Sequence, residues 1–462
     1  MPAVRRLEEK YANDLVVVGV HAGKFIAERV TANIRTATRR LDMEHPVVND
    51  KQFRTWRAFN VQAWPTVVLL DPEGMYIGQH AGEITFEMFD PIIAKVVDTY
   101  SQAGLLNHEP LHFQPDSSPA QAKSPLLFPG KVLADPQGGR LFIADTAHNR
   151  VLVARVTESG ASAHVLQTIG SGQEGFQDGA FAGALLNRPE GMALKDDTLY
   201  IADTENHSIR AADLKSGILK TIAGTGQQGY SRLGGMGKGV PLNSPWDLLE
   251  RDGYLYIAMA GSHQLWRLSL RFTEIVPLVG SGRENIDDGP NERATLAQPS
   301  GLTTDGQRLI FADSESSAVR AADFAPNGYT QTLLGEGLFE FGDRDGKGLE
   351  VRLQHCLGVS YHNGKIYIAD TYNNKIKLYD LATKECVTAL GTGAPETFYE
   401  PGGLDVWTGK GDAIRLYIAD TNNHRVLQSA IDKAGNLLPP EALNITFAPE
   451  AAGLAGDITS AQ

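Results

Sequence analysis

One short pattern occurs six times in this 462-residue chain and limits its folding options more than any other feature. It reads LFIADTAHNRVLV from Leu141, LYIADTENHSIRA from Leu199, LYIAMAGSHQLWR from Leu255, LIFADSESSAVRA from Leu309, IYIADTYNNKIKL from Ile366 and LYIADTNNHRVLQ from Leu416. Successive copies start 58, 56, 54, 57 and 50 residues apart. A period near 50 built from short apolar strands and glycine turns is the signature of a propeller.

Each copy contains the same local logic. Leu199-Tyr200-Ile201-Ala202 is apolar on both faces of a strand, so it must be covered on both sides, as happens when blades stack. Asp203-Thr204-Glu205-Asn206-His207 then reads as a hairpin turn, because Asp and Asn bond their own backbone and tolerate left-handed geometry. A second apolar strand follows from Ile209. Upstream lies a Pro/Gly start and a short strand, as in Pro189–Leu194 or Pro299–Leu302. Downstream an outer strand ends in glycine, as in Thr168-Ile169-Gly170 and Leu278-Val279-Gly280. Four strands per unit and six units predict an all-β six-bladed propeller over 125–448, with a tail at 449–462. Leu443–Phe447 is expected as the outer strand of the sixth blade, so that the ring closes without borrowing an N-terminal strand.

The turns resemble the NHL repeat, an apolar strand followed by Asp-Thr-x-Asn-His-Arg, and residues 416–426 match it nearly letter for letter. Two copies depart from it. Met259-Ala260-Gly261-Ser262 replaces Asp-Thr-x-Asn in blade three, and Ser316-Ser317 stands for Asn-His in blade four. Those turns need another way to satisfy their backbone groups.

Residues 1–100 follow a different rhythm. Asp14–Val20 reads as a fully buried strand, Ala27–Leu41 as a polar helical stretch, Pro46–Val48 as a strand, and Phe53, Trp56 and Phe59 as one face of a helix. Val61–Gly74 gives strand and turn, Met75–His80 a return strand, and the last helix has Asp90 as its cap, Pro91 at its first position and Ile92, Ile93, Val96, Val97 and Tyr100 facing the core. This order resembles a thioredoxin-like domain of the bacterial TlpA/peroxiredoxin-related type, and Trp64-Pro65-Thr66 resembles that fold's cis-proline turn. A thioredoxin opens with a strand and a Cys-x-x-Cys motif. Here Val4, Leu7 and Tyr11 already lie on one helix face, and no cysteine occurs before Cys356. Thiol exchange needs a thiolate, so this domain as given cannot perform it. The expectation is an N-terminally incomplete domain, with a redox-dead adaptor as the alternative. Residues 101–124, with Pro110, Pro115 and Pro119, read as a linker. A thioredoxin-like domain, a linker and six NHL blades together resemble the NHL repeat-containing protein 2 family.

Composition narrows the function. Residues 1–110 hold 12 basic and 14 acidic residues, and the other 30 basic and 41 acidic residues carry −11 of the −13 net charge. Such a charge repels phosphate backbones, so neither nucleic acid nor membrane is expected as a partner. The opening MPAVRRLEEKY lacks an apolar signal core and no run reaches the ~20 apolar residues of a membrane span, so a cytoplasmic protein is the expectation. Cys356 and Cys386 are expected as reduced, buried thiols.

Several motifs carry both a chemical and a structural reading. The Gly-x-Gly steps at 170–172, 224–226, 280–282, 335–337 and 391–393 stand at strand ends without a following helix, so they read as turns rather than a nucleotide loop. Asp145, Asp203, Asp313, Asp370 and Asp420, and His148, His207, His263 and His424, recur in equivalent turns around the ring instead of converging as metal ligands must. No metal, cofactor or catalytic residue is therefore assigned. The long inter-blade loops 173–186, 227–243, 283–298 and 338–354 remain, and loops on one face of a rigid ring are where propellers bind. Candidate binding residues are Phe176, Asp178, Tyr230, Asp287 and Asp343, with Trp64 and Pro65 in the N-terminal domain; Asp288, Phe339, Phe341 and Asp345 also lie in these loops. The expected function is a scaffold whose propeller face takes a protein or peptide ligand. The alternatives are a thiol-disulfide oxidoreductase whose cysteine motif lies upstream of Met1 and a metal-dependent propeller hydrolase or lyase.

Overall fold

The computed structural model describes residues 2–109, 113, 124–409 and 414–447, and the chain divides into two compact units, 1–118 and 119–462. The linker expected at 101–124 lies partly, and the tail at 449–462 wholly, outside the described residues.

The first unit has helices at Pro2–Lys10, Thr31–Arg40, Arg54–Ala58 and Phe86–Gln102, a parallel strand pair Gly19–His21 with Val47–Asn49, and an antiparallel hairpin Thr66–Leu70 with Tyr76–Ala81. Leu7, Tyr11, Phe89 and Ile93 form its buried cluster. The Trp64–Pro65 peptide is cis, as the turn predicts. Three local readings change. The strand expected over 14–20 forms only at Gly19–His21, and it is covered on one face: Leu15 packs on the buried cluster, while Val16, Val18 and Val20, on the other face, are about half exposed. Asp90 is not a cap: Thr85 caps the last helix, its hydroxyl accepting from the Met88 amide, while Asp90 accepts the Tyr11 phenol at 2.6 Å and pairs with Lys10. That helix buries Phe89 and Ile93, and leaves Ile92 toward solvent.

The second unit is a six-bladed propeller of antiparallel blades. Blade one comprises Val132–Asp135, Arg140–Asp145, Arg150–Val156 and Ser162–Ile169, from the axis outward; blade six comprises Leu404–Thr408, Ile414–Asp420, Arg425–Ile431 and Glu441–Ala442. The second strand of each blade is buried along its apolar run, as at Leu199, Ile201 and Ala202, with Tyr200 partly buried, and the apolar clusters lie between neighbouring blades. Each such Leu or Ile contributes roughly 1.5–3 kcal/mol before chain entropy is subtracted.

Among the described residues the ring closes without an N-terminal strand, as expected, but Leu443–Phe447 is not the outer strand of blade six. Blades two to five each receive a two-residue strand from the preceding loop on their outer edge, such as Gly179–Ala180 on Ile218–Leu219. Blade one follows no other blade, and its edge is covered instead by Asn444–Phe447, which runs parallel to Ser162–Val165. Glu441–Ala442 already serves as the outer strand of blade six, so the segment after the buried Leu443 crosses to blade one.

Two repeated bonds tie blade to blade. The hairpin threonine hydroxyl donates to the proline carbonyl that opens the next blade: Thr146 to Pro189, Thr204 to Pro245, Thr371 to Pro401 and Thr421 to Pro129, at 2.8–2.9 Å. The last residue of each turn is left-handed, and its side chain accepts the backbone N–H at the start of the next blade. Asn149 takes Arg188, His207 takes Ser244, His263 takes Gln298, Ser317 takes His355, Asn374 takes Glu400 and His424 takes Phe128. Short polar side chains tolerate the left-handed region best, which explains why Asn, His and Ser fill the position.

Candidate functional site

The geometry has two parts, the loop face and the axis. Each loop between blades runs from an outer strand to the next inner strand, so it lies at the same end of the ring as the hairpin turns. In blade two, Asn206 Nδ2 donates to Gly175 O at 2.7 Å and Arg210 reaches Leu185 O and Gln177 O.

The loop aspartates are held by their blades. Arg210, fully buried, joins the hairpin Asp203 at 2.5 Å to the loop Asp178 at 2.9 Å, and Asp178 also accepts the Thr221 amide and hydroxyl. Blade four repeats this with Arg320 between Asp313 and Asp288, and with Thr332. Blade five repeats it with Lys377 against Asp343 and Asp345, Asp370 at 3.9 Å, and Thr388. Burial acts to raise the Asp178, Asp343 and Asp345 pKa values, but these donors and cations prevail and hold the carboxyls below the ordinary range. Asp287 accepts the Thr295 hydroxyl and the Asn285 amide. In blades one and six the cation stands two residues earlier, as Arg150 and Arg425 on Asp145 and Asp420.

Phe176, Tyr230 and Phe339 keep 42%, 58% and 66% of their surface exposed. The candidate aromatics thus face solvent, whereas Asp178 and Asp343 are engaged by cations of their blades and Asp287 by its own loop. Trp64, in the other unit, is half exposed, donates its indole N–H to Ala22 O at 2.7 Å and packs against Trp56.

The turn histidines have definite partners. His207 and His424 use Nδ1 as an acceptor, and burial pushes His207 down to about 4 and His424 below its ordinary value. The departures in blades three and four are satisfied as well. The Asn243 amide, whose counterparts donate to a carboxylate, points at the Met259 sulfur at 3.4 Å, and Ser316 bonds to Asp313 O. Both thiols are buried, and burial pushes Cys386 up to about 12 and Cys356 well above its ordinary value.

The axis holds residues that sequence reasoning missed. Register places Lys131, Gly191, Asp247, Gly301, Gly358 and Gly403 at one level of the six inner strands. A methyl group on Gly191, Gly301 or Gly358 would strike the backbone of the next blade, so the close approach requires glycine there. The two side chains in the ring meet each other. Lys131 Nζ crosses from blade one to Asp247 of blade three at 3.4 Å, and to Ser300 O and Leu357 O of blades four and five at 2.8 and 2.7 Å. Asp247 also accepts the Leu302 and Leu248 amides. Asp405 accepts Ala134 N, Ser360 Oγ and Val406 N at 2.9–3.0 Å, with no cation on it in these contacts, and burial pushes it up to about 6. The signal that could have found this pair was the Pro-x-Gly opening of the inner strand, in which Lys131 and Asp247 break the glycine column.

Residues 186–211 match the NHL repeat family. The chain is 37% identical to chicken (Gallus gallus) NHL repeat-containing protein 2 over 495 aligned positions, which cover 96% of this chain and 67% of that protein. It belongs to the NHL repeat-containing protein 2 family. It is also 40% identical to the Arabidopsis thaliana protein SUPPRESSOR OF QUENCHING 1, chloroplastic, across 94% of this chain and 43% of that protein. A shorter stretch, 18% of this chain, is 32% identical to 48% of the Bacillus subtilis thioredoxin-like protein YneN. No helix among the described residues is long and apolar enough to cross a membrane.

Proposed function

We propose that this protein is an interaction scaffold whose propeller binds a protein or peptide segment on its loop face, in a cytoplasmic setting. The observation that carries this reading is the exposure of Phe176, Tyr230 and Phe339 on the loops between blades, two of which, 173–186 and 338–354, are clamped to their blades through Asp178 and Asp343. Exposed aromatics on anchored loops give large contact area at small ordering cost. The axis supports no central divalent cation, because the Lys131 ammonium stands across it and repels one; this weighs against the metal-dependent hydrolase or lyase alternative.

The test is affinity capture with the purified full chain and a Phe176→Ser/Tyr230→Ser/Phe339→Ser variant of matched melting temperature. A defined partner held by the parent and lost by the variant is expected. Equal capture by both would refute the loop face as the binding surface.

The first unit reads best as a thioredoxin-like adaptor presenting Trp64 and Pro65. The cis Trp64–Pro65 turn and the similarity to YneN favour it. Thiol-disulfide exchange would need a cysteine pair outside residues 1–462, since both thiols present are buried and held protonated. This chain alone is expected to leave insulin disulfides unreduced in the presence of dithiothreitol beyond the uncatalysed rate; turnover above it would refute the adaptor reading.

A further inference from the structure

Blade three replaces an entire polar clamp by apolar residues. By strand register, Met259, Trp266, Gly234 and Pro277 occupy the positions of Asp203, Arg210, Asp178 and Thr221 in blade two. Four positions change together for a physical reason. A buried arginine without its aspartates, or the reverse, leaves an uncompensated charge, whereas removing every member leaves none. Trp266, almost fully buried, fills the space, its N–H resting on Gln264, which in turn donates to Gly280 O.

The consequence falls on the loop. The loops into blades two, four, five and six are each latched by a cation that also touches or approaches the hairpin aspartate: Arg210, Arg320, Lys377 and Arg425. The loop 227–243 into blade three has no such latch. It is held by Gly229 N to Leu242 O, by the pairing of Gly235–Met236 with Glu274–Ile275 and by Gly237 N to Thr273 O, and the side chains of Tyr230, Leu233 and Met236 are exposed, Leu233 by 77%. Its charge is also distinct. Arg232 and Lys238 make it +2, whereas 173–186, 283–298 and 338–354 carry −2, −2 and −1. Arg232 rests on two carbonyls, Ser281 O and Gly282 O, and neither cation has a carboxylate partner among the described residues.

We propose that loop 227–243 is the contact element of this propeller and that it takes an acidic partner peptide segment bearing apolar side chains. Exposed Leu233 and Met236 supply apolar area, and the two unpaired cations on an otherwise acidic ring select the sign of the partner. This rests on the loop-face reading above and narrows it to one loop.

The experiment pans the immobilised full chain against a phage-displayed random 12-residue peptide library, then measures the enriched peptides by fluorescence anisotropy. Enriched sequences are expected to be acidic and apolar. They should bind at least tenfold more weakly to Leu233→Ser/Met236→Ser and to Lys238→Glu, and more weakly with added salt. Variants with unchanged melting temperature keep the comparison clean. Enriched peptides that are basic, or that lose affinity with Phe339→Ser and not with the loop 227–243 variants, would overturn this inference and leave the loop face as a binding surface. Self-association of the chain that the Leu233→Ser/Met236→Ser change abolishes would overturn it in favour of a second copy. A library that yields no binder would overturn both the inference and the peptide-binding reading.

Discussion

His424 Nδ1 accepts a hydrogen bond of 3.1 Å from the backbone N–H of Phe128, joining the last hairpin of blade six to the first turn of blade one across 296 residues. The same contact is made by Asn149 and Asn374 through a side-chain oxygen at 2.9 and 2.8 Å in other blades. The repeat therefore predicts which substitution the ring accepts. His424→Ala leaves a partly buried N–H without its acceptor and should destabilise by about 1–3 kcal/mol, whereas His424→Asn should recover most of that. Urea unfolding measures both; equal losses would show that the bond is not what matters there.

The same histidines set an acid limit. Burial depresses His207 to about 4 and lowers His424, while an unfolded histidine titrates near about 6.5. Below that value the unfolded chain takes up protons that the fold refuses, and a protonated Nδ1 cannot accept. The His207 contribution is complete above pH ~6.5 and is lost as pH falls toward 4, and His424 acts in the same direction. His207→Asn/His424→Asn should flatten the stability curve across that window, as read by melting temperature against pH.

Asp405 works in the opposite direction. Its carboxyl is pushed up to about 6, mainly by burial, so the folded chain holds this proton more tightly than the unfolded one, whose aspartate titrates near about 3.9. Stability from this group is present at low pH and declines as pH rises through 6. The destabilisation caused by Asp405→Asn should accordingly be smaller at pH 8 than at pH 4.5. A penalty independent of pH would mean the carboxylate is already ionised throughout.

At the axis, Lys131→Met should destabilise by about 3–5 kcal/mol, because it strands the Asp247 carboxylate among the inner strands. Lys131→Met/Asp247→Asn should be less unstable than the single change. Additive penalties in a double-mutant cycle would indicate two independent residues.

Closure by the C-terminal strand is equally open to test. Leu443 is buried between blades six and one, and Leu443→Ala should cost about 2–5 kcal/mol. A chain ended at Ala442 should lose amide-exchange protection along Ser162–Val165, where Asn444–Phe447 pairs. Unchanged protection there would mean that blade one needs no such cover.

The sequence by itself determined the ring. Its six copies of an apolar strand and polar turn, at spacings near 50, leave few other ways to cover strands that are apolar on both faces. The departures in blade three are legible too, being a local pattern, whereas the cis bond at Pro65 is legible only through the resemblance of Trp64-Pro65-Thr66 to a thioredoxin-like turn. Only the tertiary structure decided where Asn444–Phe447 pairs, because an apolar strand of four residues carries no label for its neighbour. It also decided the half-exposed valines at 16, 18 and 20, which look buried in sequence and lack a covering layer in space. The axial pair Lys131–Asp247, 116 residues apart, and the joint replacement of four clamp residues in blade three depend on register between distant strands. Periodicity reads what one strand repeats along the chain; which charges meet, and which loop is left without a latch, follows from six blades brought side by side.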